Sequence, residues 1–103
     1  HRVDHVRNFD FSKIPSGWSG LAERMVRHAA IHADSRGVLN IGRKEFFTDS
    51  IGGRSAQYET NLINAINREV DGVTFSTVGR GASARLVIVF DDDKISKSLE
   101  KKG

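Results

Sequence analysis

Gln57, Asn61, Asn64 and Arg68 recur at intervals of four, three and four residues, the spacing that brings side chains onto one line of an α-helix. Thr60 and Asn67 lie beside that line, and Arg54 stands at its leading end. Surface helices usually fill such a face with Lys and Glu; Asn and Thr are mediocre helix formers, so their recurrence asks for another reason. Carboxamides and guanidinium groups have one chemistry in common, bidentate hydrogen bonding to the adenine and guanine edges of a major groove. A merely solvated polar face fits the same residues, and what surrounds them has to decide.

The other flank of the segment carries Tyr58, Leu62, Ala65, Ile66 and Val70, with Ile63 at its border, so residues 54–68 read as an amphipathic helix. Upstream, residues 1–16 show no sustained period and read as an extended arm, punctuated by Pro15. Trp18 is expected just ahead of a first helix, as a buried anchor for the arm, with Ser19 or Gly20 as the cap. That helix runs from Leu21 to about Ala33, with Ala22, Met25, Val26, Ala29 and Ala33 as its apolar stripe. Val38–Ile41 is a short strand ended by Gly42, and Arg43 to about Ser50 a short second helix burying Phe46 and Phe47. Ile51, Gly52 and Gly53 form a tight corner before the long helix. Downstream, Val73–Val78 and Arg85–Phe90 alternate in the strand period around the tip Gly79–Ser83, which predicts a β-hairpin. The run from Asp91 to Gly103 has Ile95 and Leu99 spaced for one face of a short helix, but its charge-rich composition reads as a frayed tail or linker.

The chain has 103 residues, 16 Lys plus Arg against 13 Asp plus Glu, and no cysteine. That is one domain's length, with a core of modest size and a mildly basic balance that permits a polyanionic partner without requiring it. Disulfides and thiolate metal sites are excluded. No apolar run approaches the roughly 18 residues of a membrane span, and no signal peptide is seen, so a soluble intracellular protein of cytoplasm, nucleoid or nucleus is expected, with no membrane partner. The start at His1 instead of Met leads us to expect an excised domain or processed product, with other domains of a larger parent chain as partners.

Helix, short strand, short helix, glycine corner, long helix and two-stranded ribbon is the order of the winged helix-turn-helix superfamily, and residues 18–91 resemble it. The resemblance rests on that order, the GG corner before RSAQYETNLINAINR and the GRGAS hairpin tip. It implies an α+β fold of three helices, a short strand and a C-terminal hairpin wing, with residues 1–17 as an arm and 92–103 as a tail. It implies sequence-selective binding of double-stranded DNA, as in an origin-binding or operator-binding part of a replication or transcription-regulatory protein. Arg54, Ser55, Gln57, Tyr58, Asn61 and Asn64 would then face the major groove. Arg80, with Arg85 near it, would serve the wing, and Arg43, Lys44 and Arg68 would meet phosphates. A homodimer on paired half-sites, held by arm or tail, also belongs to this picture.

Other chemistry is poorly supported. His28 and His32 are four apart with Asp34 following, but the Glu of a metalloprotease helix and any cysteine for structural zinc are missing, so neither metal nor cofactor is expected. Asp91–Asp93 read as solvated, and Gly79-Arg80-Gly81 lacks the lysine and helix of a phosphate-binding loop. No catalytic arrangement has supporting spacing, and the chain is not expected to be an enzyme. Few aromatics are left for base stacking, which disfavours RNA. The surplus between Arg36 and Arg85 is thin, seven basic against five acidic residues, and Ile31 lies opposite the first helix's stripe; both keep open a winged-helix domain used for protein contact.

Overall fold

The computed structural model describes residues 1–102, with side chains described through Glu100. The chain is α+β: α1 (Arg2–Val6), α2 (Ser16–His32), β1 (Val38–Gly42), α3 (Arg43–Ile51), α4 (Ala56–Glu69), β2 (Val73–Val78), β3 (Arg85–Phe90) and α5 (Asp92–Lys102), with a 3₁₀ turn over Gly81–Ser83. Five α-helices are present among the described residues, where three were expected. The strands form one antiparallel sheet in the order β1-β3-β2, so the short early strand joins the hairpin as its third member. The hairpin register runs from Val73 opposite Phe90 to Val78 opposite Arg85, and β1 lies against β3 from Val38 opposite Val89 to Gly42 opposite Arg85.

Alternation sets the two faces of this sheet. Leu86, Ile88 and Phe90 of β3 point inward with Val73 and Phe75 of β2, against Met25, Val26, Phe46, Leu62 and Ile66 of the helices. Phe46 is the centre of an aromatic cluster, its ring edge-on to Phe47 at 5.7 Å and to Phe75 at 5.8 Å. Such offset and edge-to-face pairs add to the burial of the rings themselves.

Three expectations need correction. The N-terminal stretch is not an extended arm, because α1 and the turns after it bury Val6 and Ile14 in the common core. The C-terminal run is not a frayed tail over its described length. Ile95 is 2% exposed and Leu99 packs on the same core, Asp91 caps α5 by accepting from the Lys94 amide at 3.0 Å, and Asp92 and Asp93 stand in the first turn, where the helix dipole favours negative charge. Arg2 closes the two ends on each other, donating from Nε and Nη2 to the Asp92 carboxylate at 3.0 and 2.8 Å. This pair holds the Asp92 carboxyl below its ordinary range. Finally, α2 begins at Ser16, so Trp18 lies inside it and neither Ser19 nor Gly20 caps it. Pro15 takes the cap position without a side-chain cap, and its carbonyl accepts from the Trp18 and Ser19 amides.

Among the described residues, no helix is long and apolar enough to cross a membrane.

Candidate functional site

The corner between α3 and α4 is made by the chain's two adjacent glycines. Gly52 and Gly53 have φ of 79° and 73°, a left-handed conformation that costs glycine little and other residues considerably more. Their amides donate to the Thr48 and Phe47 carbonyls, closing α3 before α4 starts. The first turn of α4 is then capped twice. Ser55 Oγ accepts from the Tyr58 amide at 3.2 Å, and Glu59 Oε2 accepts from the Arg54 amide at 3.0 Å. Ser55, expected at the groove, therefore has its oxygen engaged in folding the helix.

The polar residues of α4 divide into an engaged set and an outward set. Thr60 accepts from Arg43 Nη2 at 3.2 Å. Arg43 also donates from Nη1 to Thr77 Oγ1 at 2.9 Å, stands 3.8 Å from Glu59 Oε1 and lies over the Phe47 ring at 5.1 Å. Expected at a phosphate, Arg43 instead ties α3, α4 and β2 together, with only 16% of its side chain exposed. Asn67 donates from Nδ2 to the Phe75 carbonyl at 2.9 Å and accepts from the Phe75 amide at 2.8 Å. One carboxamide thus occupies both the amide and the carbonyl of Phe75 on the outer edge of β2. Tyr58, also expected at the groove, is half-buried with its ring 5.7 Å from that of Trp18 on α2.

Gln57, Asn61, Asn64 and Arg68 remain. Gln57 and Asn64 are exposed and Asn61 is half-exposed, and Gln57 Nε2 donates to Asn61 Oδ1 at 2.9 Å. Arg68 is well exposed, with Nε 3.5 Å from Glu69. At the leading end of this line, Lys44, Thr48, Arg54 and Ala56 line an open cleft together with Gly81 and Ala82 of the hairpin tip. Arg54 is exposed and donates back to the Gly53 carbonyl; Lys44 and Arg80 are exposed as well. The hairpin tip therefore stands beside the N-terminal end of α4.

Arg85 is not part of this group. It projects from the outer face of the sheet, donating from Nε to Asn40 Oδ1 at 2.7 Å, and lines a separate cleft with His28, His32, Glu45 and Asp49. There His28 stacks edge-on against Phe46 at 5.5 Å and lies 4.5 Å from the His32 ring. Burial, reinforced by His32 and opposed by Asp49, pushes the His28 imidazole below its ordinary value. No group of three or more His, Cys, Asp or Glu among the described residues is placed to hold a metal.

Sequence reasoning missed the engaged set, although one signal for it was present. Thr60 and Asn67 are seven residues apart and flank Ile63 and Ile66, a spacing that puts both on the border of the buried face. A polar side chain on that border often finds a partner in the next element. No family model matches the chain, and no curated protein or solved structure is significantly similar to it.

Proposed function

We propose that this chain is a winged helix-turn-helix module that binds double-stranded DNA sequence-selectively, as part of a replication or transcription-regulatory protein. In this reading α4 enters the major groove, and Gln57, Asn61 and Asn64 contact base edges. Lys44, Arg54 and Arg68 meet phosphates, and Arg80 at the β2–β3 tip follows the backbone or the minor groove. The observation that carries the proposal is the division along α4. Thr60, Asn67, Ser55, Glu59 and Tyr58 are engaged within the domain, whereas Gln57, Asn64, Lys44, Arg54 and Arg68 are exposed and Asn61 is half-exposed, with the hairpin tip beside the N-terminal end of α4. Carboxamides specify bases, and cations supply sequence-independent affinity.

Salt titration of binding to random-sequence duplex tests this directly. Contact with four phosphates gives a log-log slope of about −3.6; no binding at about 50 mM salt rejects the proposal. A second reading, a domain for protein contact, draws on Val78 and Val89, which are 57% and 40% exposed on the outer face of the sheet. That reading predicts no salt-dependent duplex binding.

A further inference from the structure

We infer that the preferred duplex places adenine opposite Gln57 and an acceptor-bearing base, thymine or guanine, opposite Asn61, with the two side chains acting as one hydrogen-bonded unit. This deepens the duplex-binding reading above and rests on it. The Gln57 Nε2 to Asn61 Oδ1 bond is 2.9 Å long and spans one helical turn. A primary carboxamide has two N–H groups. One lies on the same side as the carbonyl oxygen, and those two atoms together match N7 and N6–H of adenine. The other N–H points away from the carbonyl and is the one free to serve Asn61. Gln57 can therefore read adenine in full without releasing its neighbour.

Asn61, with one lone pair of its oxygen engaged by Gln57, offers chiefly the donors of Nδ2, which suit thymine O4 or a guanine O6 or N7. Readers for cytosine and for a bidentate guanine contact are absent from the middle of the line. Two parallel donors for a bidentate guanine contact require a guanidinium or ammonium group. Arg54 stands before the helix cap and is bonded to Gly53, and Arg68 lies eleven residues beyond Gln57, about 16 Å along the axis. Cytosine is read best by a carboxylate acceptor, but Glu59 is turned inward onto the Arg54 amide and Glu69 pairs with Arg68. The internal bond also restrains both side chains before binding, which lessens the entropy lost on contact.

The test is selection from a randomised duplex pool, followed by titration of the selected duplex with its adenine replaced by 7-deazaadenine, which lacks the N7 acceptor. Adenine should be enriched at one position, and the replacement should weaken binding of the unaltered protein roughly 5- to 150-fold. The same replacement should leave the affinity of Gln57→Ala unchanged, and Gln57→Glu should shift the preference from adenine to cytosine. Gln57 is exposed and Asn61 half-exposed, so the variants keep the fold, which thermal melts verify. Tight binding of the pool without adenine enrichment overturns this inference and leaves duplex binding standing, as does equal sensitivity of Gln57→Ala to the replacement. Failure to bind any duplex at low salt overturns both.

Discussion

Two neighbouring cations at the start of α3 have opposite fates, and the difference can be measured. Arg43 is enclosed by Thr60, Thr77, Glu59 and the Phe47 ring, whereas Lys44 faces solvent in the cleft beside the hairpin tip. Arg43→Ala leaves two hydroxyls and a carboxylate short of a donor and should lower unfolding stability by about 1 to 3 kcal/mol, read as a reduced denaturant midpoint at unchanged slope. Lys44→Ala should leave the midpoint in place and weaken duplex binding on every sequence alike. His28 gives a pH signature. Its folded imidazole titrates below the ordinary value of 6.5 because burial and His32 disfavour its charge, with Asp49 opposing them. The unfolded chain thus binds more protons in the window just below that value, so stability contributed by neutral His28 is full above it and falls as the solution is acidified through the folded value. Thermal melts from pH 7 downward should show a steeper loss for the natural protein than for His28→Gln.

At the scale of elements, the central run was legible and the two ends were not. Alternation around a glycine-bearing tip located β2 and β3 to the residue, and Gly52-Gly53 separated α3 from α4 because only a left-handed corner joins two helices so tightly there. The long helix was legible as a helix, yet its polar face was not sortable into inward and outward partners, since those partners lie on β2, α2 and α3. α1 was illegible, and α5 showed only the helical spacing of Ile95 and Leu99, for a related reason. Each is charge-rich with only one or two apolar anchors, and the ion pair that joins them, Arg2 to Asp92, spans nearly the whole chain. The anchors still matter. Ile95→Ala should cost about 2 to 5 kcal/mol, because Ile95 fills the space over Gly72, where even an added Cβ would come within 2.5 Å of it. Hydrogen exchange should show α5 amides losing protection in this variant before those of α4.

For the molecule as a whole, formal charge is only +3, so any duplex affinity must come from how the cations are placed more than from their number. Lys44 and Arg54 gather near one end of α4 and Arg68 lies near the other, which frames an uncharged polar surface between charged ends. This distribution could not be read from composition, because the seven basic residues between Arg36 and Arg85 include Arg43 and Arg85, both turned to internal partners. The sheet behind that surface has two outer strands, and side chains cover backbone groups on each. Asp34 exchanges hydrogen bonds with Val38 through its own amide and its carboxylate, and Asn67 does the same for Phe75. A three-stranded sheet with bare margins invites a strand from another copy to add itself. Asn67 fills the place such an intruder would take, so Asn67→Ala should turn a well-behaved solution into one whose light scattering climbs with protein concentration. The residue that looks like one more candidate for reading DNA would then be the one that keeps neighbouring molecules from knitting together.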